Sequence, residues 1–415
     1  MLFTILIGVL GAAVFGLRNV FVKLRFILSG GKKGKSDDSR FPIVAFSDSK
    51  RYWNMFGPIC DEFEKRGQEF VYFTASPDDP ALEKEYSHVR CEFIGEGNRA
   101  FARLNMLRAD VLLSTTPGLD VYQWKRSPDV KWYAHITHAA NDSVVLYRMF
   151  GIDYYDAILL SGEYQISQVR KLETLRGLPP KELLVVGQPY MDAMKARLEE
   201  DPPAPDHQIT VLLAPSWGKS AIFSRFGGKI IDALLRTNFH VIIRPHPQSF
   251  TSEKEMLDGL MASYPDSDRL EWDRNSDNFE SLRRSDIMIS DFSGVIFDFC
   301  LVFDKPVIYA DTSFDLAPYD GFWLDSDDLW TFKTLPRIGR QLTEDDLNDI
   351  ETFINDCLED TSLRANRDAV RDEAWAYRGE SVKLTVDYLM NKYHELTAKE
   401  APAHETADNS TTRDA

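Results

Sequence analysis

The chain has 415 residues, of which 44% are hydrophobic and 27% charged, and its formal net charge is −17. This length allows two domains with a sizeable core each. The negative charge argues against general binding to nucleic acid, so we expect no nucleic-acid partner, and a phosphate ligand requires locally concentrated positive charge. The four cysteines are scattered without a C-x-x-C pair, which is typical of reduced thiols in a cytoplasmic protein.

Residues 1–28 are predicted to form a membrane anchor helix. Residues 1–17 are uncharged and nearly all apolar, and Arg18, Lys23 and Arg25 follow them. A secretory signal carries its positive charges before the apolar run, so the observed order favours an anchor that keeps the rest of the chain on the cytoplasmic side. The helix either spans the membrane with its basic side chains snorkelling or lies in the interface. Residues 29–40 then form a polar linker.

Apolar runs alternate with amphipathic stretches through the rest of the chain. Twelve runs are strand candidates, namely PIVAFS, FVYFTAS, CEFIGEG, DVLLSTT, KWYAHITH, DAILLSGE, ELLVVGQP, ITVLLAPSW, HVIIRPHP, LEWD, DIMISDFS and PVIYAD. Strands that alternate with helices predict parallel sheets. The fold class is therefore α/β, with two Rossmann-like, doubly wound domains facing a cleft. We place them at residues 41–198 and 208–397, joined by a proline-rich linker at 199–207 and followed by a disordered tail at 398–415.

Residues 286–303 read as a strand, a turn and an apolar helix. Asp291 and Ser293 are predicted helix N-caps, and Gly294 allows close approach to the backbone. Unpaired N–H groups at a helix N-terminus favour a bound phosphate. The alternative is an ordinary strand–helix joint with no ligand.

Polar residues also follow three other predicted strands. Pro215 and Ser216 end one strand, and Arg244 and His246 occur in a turn stiffened by two prolines, which suits a diphosphate. His138 lies beyond an apolar run and directly before small residues. Because ligands bind at the carboxyl ends of strands in such sheets, we predict that these residues face the cleft.

Neither a metal nor a cofactor is expected. His135 and His138 are three residues apart, which on a continued strand places them on opposite faces. The D-x-D spacings at residues 266–268 and 325–327 are typical of solvated loops in an acidic chain. The sequence contains no Walker A loop, G-x-S-x-G elbow or zinc-ligand spacing.

The segment from about residue 131 to 309 resembles the CDP-glycerol:poly(glycerophosphate) glycerophosphotransferases. The resemblance is carried by R-P-H-P at 244–247, S-D-F-S-G-V-I-F-D-F at 290–299 and D-K-P-V-I-Y at 304–309, with L-L-A-P-S-W at 212–217 in support. It implies a GT-B fold whose C-terminal domain holds the nucleotide donor. The implied enzyme is a membrane-associated transferase in teichoic-acid synthesis at the cell envelope. It moves glycerol phosphate, or a related polyol phosphate, from a CDP-linked donor to a hydroxyl of a lipid-linked or glycan acceptor and releases CMP.

The resemblance also implies roles for individual residues. His138 would be the general base, and His246 would stabilise the diphosphate. The residues implied to line the anion site are Ser290, Asp291, Ser293 and Gly294. The chain departs from the family pattern in the A-A-N-D-S that follows His138, and in Gly294, where the family has a second serine.

Two rival interpretations remain open at this stage. A GT-B glycosyltransferase or epimerase would use a UDP-sugar, and nucleotide release distinguishes it from a CDP-dependent transferase. A non-catalytic, membrane-tethered scaffold would keep its function after His138→Ala and His246→Ala.

Overall fold

The computed structural model describes residues 40–204, 207–310, 314–325 and 328–399. The predicted anchor and nearly all of the predicted linker and tail lie outside these residues. Within the described ranges, no helix is long and apolar enough to cross a membrane.

The first sheet consists of seven parallel strands. They are β1 Phe41–Ser47, β2 Phe70–Thr74, β3 Val89–Phe93, β4 Ala109–Ser114, β5 Val130–Ile136, β6 Ala157–Leu160 and β7 Glu182–Val185. Their order across the sheet is β3-β2-β1-β4-β5-β6-β7. Each lies in one of the predicted apolar runs, because strands covered on both faces require nearly continuous apolar sequence.

Helices cover both faces of this sheet. They are α1 Trp53–Lys65, α2 Asn98–Leu104, α3 Ser143–Leu146, α4 Tyr164–Arg176 and α5 Pro189–Glu200. Phe63 of α1 stacks on Phe70 of β2 with 4.2 Å between ring centroids. α4 ends at Gly177, whose φ of 62° is left-handed and therefore suits a residue without Cβ.

The second sheet has six parallel strands. They are β8 Thr210–Leu213, β9 His240–Ile243, β10 Leu270–Trp272, β11 Ile287–Ser290, β12 Val307–Ala310 and β13 Gly339–Leu342. Their order is β10-β9-β8-β11-β12-β13. β13 was absent from the sequence prediction, because Arg340 and Gln341 interrupt any apolar run in this short edge strand.

Ten α-helices of the described chain follow β8, and all but the last belong to the second domain. They are α6 Ile222–Phe226, α7 Lys229–Leu235, α8 Ser249–Ser252, α9 Lys254–Ser263, α10 Phe279–Arg284, α11 Val295–Val302, α12 Trp330–Ile338, α13 Ile350–Glu359, α14 Arg364–Ala374 and α15 Ser381–Ala398. α11 is the apolar helix predicted after β11. Seven of its eight residues are buried, and the six apolar ones among them lie in the core beneath the sheet.

The last helix returns to the first domain. Val386 and Leu389 of α15 are fully buried in the core of the first sheet. Tyr388 accepts a hydrogen bond of 3.0 Å from the indole nitrogen of Trp132. The predicted second domain, residues 208–397, includes α15 by chain order, whereas its packing partners belong to the first.

A first-domain carboxylate caps a second-domain helix. Asp142 accepts hydrogen bonds from the N–H groups of Trp330 (2.9 Å) and Thr331 (2.6 Å) at the start of α12. Nearby, Arg176 forms buried ion pairs with Asp153 (2.7 Å) and Asp320 (2.5 Å). These contacts fix the two domains against each other on one side of the cleft.

Candidate active site

The carboxyl ends of the two sheets face one another across a cleft. His138 lies on the first-domain side, and Pro215, Arg244, His246, Ser293 and Gly294 line the same cavity from the second domain. Ser216 lines an adjoining part. The structure therefore brings most of the predicted site residues together at the strand ends.

His138 is a partly buried, neutral histidine. Its Nδ1 lies 3.2 Å from Oγ1 of Thr115 and 3.3 Å from the hydroxyl of Tyr147. Burial lowers the pKa of His138 to about 3, and the positive charge of Arg51 adds to the effect. Its Nε2 has no hydrogen-bond partner in the described part of the chain. The ring can therefore accept a proton at Nε2 while Thr115 and Tyr147 hold its orientation through Nδ1.

A second histidine lies behind this ring. The hydroxyl of Tyr147 is 2.8 Å from Nε2 of His135, so it connects the two imidazoles. The opposite-face placement expected for a continued strand does not apply, because β5 ends at Ile136, before His138. Burial lowers the pKa of His135 to about 3, and it is neutral too. The sequence prediction missed Tyr147, which carries no motif signal.

His246 has a defined tautomer. Its Nδ1 accepts a hydrogen bond of 3.1 Å from the backbone N–H of Gln248. Burial lowers the pKa of His246 to about 4, with contributions from Arg51 and Arg244, so the ring is neutral at pH 7. A neutral ring that accepts at Nδ1 carries its proton on Nε2. His246 is therefore a hydrogen-bond donor at the cleft.

The charge of Arg244 is largely compensated within the protein. Its guanidinium pairs with Asp273, which is 3% exposed, and donates to the carbonyl of Asn275 at 2.9 Å. Arg244 touches the cleft, but its charge is not free for a ligand as the sequence predicted. Its main contact holds the turns after β9 and β10 together.

Asp291 has a structural role and does not line the cleft. We call its carboxylate, with the three backbone N–H groups that it binds, the Asp291 clasp. It is 1% exposed, and its carboxylate accepts hydrogen bonds from the N–H groups of Ser216 (3.1 Å), Ile222 (3.1 Å) and Ser293 (3.2 Å). Burial raises the pKa of Asp291 to about 6, against the opposing effect of these N–H groups. The prediction that its side chain lines an anion site is wrong, because three backbone donors already occupy it.

Ser290 and Gly294 also serve packing. Ser290 is fully buried, and its hydroxyl donates to the carbonyl of Ala214 at 2.7 Å, so its predicted position at the anion site is wrong as well. Gly294 is the N-cap of α11, where no side chain caps the helix, contrary to the prediction for Asp291 and Ser293. A Cβ on Gly294 would lie 3.1 Å from that of Ala139, so glycine permits the first domain to approach.

The start of α11 retains unpaired donors at the cleft. Ser293, Gly294 and Val295 all line the cavity. Among the described residues, the N–H groups of Gly294 and Val295 have no hydrogen-bond partner. They lie at the positive end of the helix dipole and can bind an anion.

Two further cleft residues were missed by the sequence prediction. Arg51, on the 3₁₀ turn Lys50–Tyr52 after β1, is exposed, and its guanidinium lies 5.1 Å from the centre of the Tyr52 ring. Arg51 has no ion-pair partner within the described ranges. Arg51 follows β1, and the other candidates were chosen because they follow predicted strands. The same criterion applied to β1 would have indicated Arg51.

Asp298 is the second missed residue. It lies within α11 and accepts a hydrogen bond from the hydroxyl of Tyr190, and both residues line the cavity. Burial raises the pKa of Asp298 to about 7. Its place in the 290–299 motif was the signal for it.

Two parallel α/β sheets, a cleft between their carboxyl ends and a neutral histidine on each wall define a two-domain enzyme fold of the GT-B kind. The family model of the CDP-Glycerol:Poly(glycerophosphate) glycerophosphotransferases matches residues 154–374, more than half of the chain. The chain belongs to this family and is a glycerophosphotransferase-like enzyme. Among curated proteins, no sequence matches significantly.

Solved structures share the architecture. The wall teichoic acid polymerase TagF superposes with a TM-score of 0.56 at 15% identity, covering 91% of this chain and 98% of TagF. The UDP co-structure of S. aureus MnaA gives 0.54 at 13% identity, with 85% and 97% covered. A putative UDP-N-acetylglucosamine 2-epimerase from Listeria monocytogenes gives 0.52 at 12% identity, with 86% and 97% covered. The likeness concerns the fold, and it confirms the predicted pair of α/β domains.

Proposed function

We propose that the enzyme transfers glycerol phosphate, or a related polyol phosphate, from a CDP-linked donor to a hydroxyl of a lipid-linked or glycan acceptor and releases CMP. The observation that carries this proposal is the placement of His138 and His246 at one cleft, with unpaired N–H groups at the start of α11. Family membership and the resemblance of the fold to TagF support a role in teichoic-acid synthesis at the cell envelope.

The donor diphosphate binds at the second-domain wall. Nε2–H of His246 and the N–H groups of Gly294 and Val295 supply hydrogen bonds, and Arg51 supplies a full positive charge. Fixed donors of this kind stabilise the charge that develops in phosphoryl-type transfer. The protein as a whole carries a net charge of −17, which repels anions. This local cluster of donors is therefore what binds the diphosphate.

Asp298 binds the ribose of the nucleotide. Its carboxyl group lines the cavity and already accepts one hydroxyl hydrogen bond, from Tyr190. A buried carboxylate accepts hydroxyl hydrogen bonds strongly, and a ribose offers two adjacent hydroxyl groups. The pyrimidine base then lies towards Ser276 and Asn278, which line the same cavity.

His138 acts as the general base. The acceptor hydroxyl gives its proton to Nε2 of His138 as its oxygen attacks the distal, glycerol-bearing phosphorus of the donor. The bond from that phosphorus to the bridging oxygen breaks, and CMP leaves with the electron pair. A pKa near 3 in the empty cleft keeps the ring unprotonated, and the negative charge of a bound donor raises this pKa.

We also propose that residues 1–28 attach the enzyme to the cytoplasmic face of the membrane, where a lipid-linked acceptor is accessible. The apolar composition of this segment and the positive charges after it support the proposal. Flotation of the full chain and of a variant lacking residues 1–39 with lipid vesicles tests it. Equal flotation of the two proteins would contradict it.

Nucleotide release tests the reaction. The full chain is incubated with CDP-glycerol or with UDP-N-acetylglucosamine, together with 1-O-octylglycerol or octyl glycerophosphate as acceptor. We expect acceptor-dependent CMP release, which His138→Gln abolishes. The control is His240→Gln, since His240 begins β9 at the opposite end of the strand from His246. UDP release or sugar epimerisation without CMP release would favour the UDP-sugar alternative.

A further inference from the structure

Three side chains, beginning with the proposed base, form a row of hydrogen bonds that ends in the protein core. The hydroxyl of Tyr147 lies 3.3 Å from Nδ1 of His138 and 2.8 Å from Nε2 of His135. His135 is fully buried. The reaction proposed above gives His135 no role, although burial of a polar imidazole is costly. We call His138, Tyr147 and His135 the histidine row.

The direction of the hydrogen bonds in the histidine row decides which nitrogen of His138 carries a proton. Both imidazoles are neutral at pH 7, because burial lowers the pKa of each to about 3, so each carries one proton. In the first direction, Tyr147 donates to His135 and accepts from Nδ1–H of His138, which leaves a lone pair on Nε2 of His138. In the second direction, His135 donates to Tyr147, Tyr147 donates to Nδ1 of His138, and the proton of His138 is on Nε2. Only the first direction leaves His138 able to act as a base at the cleft.

Thr115 does not select between these directions. Its Oγ1 lies 3.2 Å from Nδ1 of His138, and a hydroxyl group can either donate or accept. Among the described residues, Thr115 and Tyr147 are the two side chains that bond to Nδ1 of His138. The direction therefore depends on which nitrogen of His135 carries its proton, since Tyr147 connects the two rings.

The surroundings of His135 favour the first direction. Its Nδ1 is buried without a hydrogen-bond partner among the described residues. The rings of Tyr147 and Tyr155 pack against the imidazole, with ring centroids at 5.0 and 4.8 Å. The face of an aromatic ring is negative, so it attracts an N–H group and repels a lone pair. These aromatic neighbours therefore stabilise a proton on Nδ1, and Nε2 is left to accept the hydrogen bond from Tyr147.

The cleft alone does not hold His138 in the state that a base requires. The positive charge of Arg51 acts on His138 and favours a lone pair at Nε2 while the cleft is empty. A bound diphosphate has the opposite effect, because its oxygens accept hydrogen bonds and its negative charge attracts an N–H group. Without support from behind, the ring would carry its proton on Nε2, donate a hydrogen bond to the diphosphate and lose its function as a base.

We propose that His135 is a positioning residue for the base: it accepts the hydrogen bond of Tyr147 and thereby keeps the proton of His138 on Nδ1. The inference rests on the proposed function and deepens it. The acceptor hydroxyl then gives its proton to Nε2 of His138, and the imidazolium so formed keeps its Nδ1–H bonded to Tyr147 and Thr115. The positive charge stays on His138 beside the donor phosphates and does not pass to the buried His135.

Kinetics of a double variant test the proposal. His135→Leu removes the acceptor, so the Tyr147 hydroxyl donates to Nδ1 of His138 and places the proton on Nε2. We expect kcat for CMP release to fall about twentyfold at unchanged donor KM, which is more than the loss in Tyr147→Phe. Adding Tyr147→Phe to His135→Leu removes the competing donor and should restore kcat about fourfold.

The matched control is His135→Leu combined with Tyr155→Phe. Tyr155 also packs against His135, but its hydroxyl donates to the carbonyl of Thr116, so this double variant should show no recovery. Structural damage accumulates, whereas a wrongly placed proton is corrected when its donor is removed. A double variant with Tyr147→Phe that is slower than His135→Leu alone would overturn the proposal.

Nitrogen NMR of the wild-type full chain tests the tautomer directly, whether or not His135→Leu folds. The histidines are labelled with ¹⁵N, and the signals of His138 are those missing from His138→Gln. We expect the proton of His138 on Nδ1, both in the free protein and with CDP bound. A proton on Nε2, in a protein whose CMP release requires His138, would overturn this proposal alone. A proton on Nδ1 without CMP release from CDP-glycerol would leave the tautomer standing and contradict the proposed function.

Discussion

The two walls of the cleft differ in how many of their polar groups are paired within the protein. The second-domain wall contains the recognisable motifs, yet much of their polar chemistry is internal. Ser290 bonds to Ala214, Asp291 holds three N–H groups, and Arg244 pairs with Asp273. The first-domain wall has few motif residues and presents unpaired groups at His138 and Arg51.

This difference shows what the motifs encode. A diphosphate site built from backbone N–H groups requires turns of exact shape, and buried side-chain clasps set that shape. The group that we propose to contact the acceptor, His138, is a single side chain on a loop, which needs no fixed sequence around it. The following predictions test this division, from the largest expected effect to the smallest.

Loss of the base should have the largest effect. We expect His138→Gln to lower kcat by about 10²–10⁴-fold, because no other group accepts the acceptor proton, with little change in the KM for donor. Steady-state kinetics of CMP release measure both. A kcat within tenfold of wild type would show that His138 is not the base.

Loss of the Asp291 clasp should lower stability. Asp291→Ala leaves two buried N–H groups and one partly buried N–H group unpaired, and it should lower the free energy of unfolding by about 3 kcal/mol. Urea denaturation measures it. Ser293→Ala is the control and should keep wild-type stability. A stable Asp291→Ala protein that had lost donor binding would instead place this carboxylate at the ligand.

The two arginines at the donor should behave differently. Arg51→Gln should raise the donor KM about tenfold with little loss of stability, because the exposed Arg51 forms no ion pair among the described residues. Arg244→Gln should mainly destabilise the protein, by about 3 kcal/mol, because it leaves the buried carboxylate of Asp273 without its ion-pair partner. Kinetics and denaturation of both variants make the comparison. The opposite pattern would mean that Arg244 is the ligand-binding cation.

The Tyr147 hydroxyl should have a moderate effect on the base. Tyr147→Phe removes the contact between His138 and His135 and should lower kcat about fivefold, as expected for a lost hydrogen bond of about 1 kcal/mol. The control is Tyr155→Phe, which removes a buried hydrogen bond to the carbonyl of Thr116 without touching His138. Equal kcat losses in the two variants would indicate a general effect on the fold.

Asp298 should make stability depend on pH. Its pKa is raised from 3.8 to about 7 in the folded protein, so the folded state binds the proton more tightly and this group destabilises the fold as pH rises. Asp298→Asn removes the titrating carboxyl group and with it this pH-dependent loss of folding stability. Its stability relative to wild type should increase between pH 4 and 7 by at most about 1.4 kcal/mol per pH unit. A difference independent of pH would contradict a buried titrating carboxyl.

Much of the architecture could be predicted from the sequence. Parallel strands covered on both faces produce long apolar runs, so twelve of the thirteen strands were visible, and only the polar edge strand β13 was missed. Strand ends pointed to His138 and His246 because parallel sheets bring their carboxyl ends together.

The roles of individual polar side chains were harder to predict. Asp291 and Ser293 are two residues apart in the motif, yet only the fold determines which of them faces the cleft. Arg244 and Arg51 look alike in sequence, and their difference depends on Asp273, which is 29 residues from Arg244. Ion pairing between distant loops decides whether a charged side chain can bind a ligand. This pairing cannot be predicted from the local sequence.

The central claim is that the donor diphosphate lies between His246 and the start of α11. A crystal structure of the full chain with CDP-glycerol tests it directly. We predict phosphate oxygens within hydrogen-bond distance of Nε2 of His246 and of the N–H groups of Gly294 and Val295, with the glycerol-bearing phosphorus facing His138. A cytidine nucleotide bound with its phosphates away from both His246 and Gly294 would contradict the account.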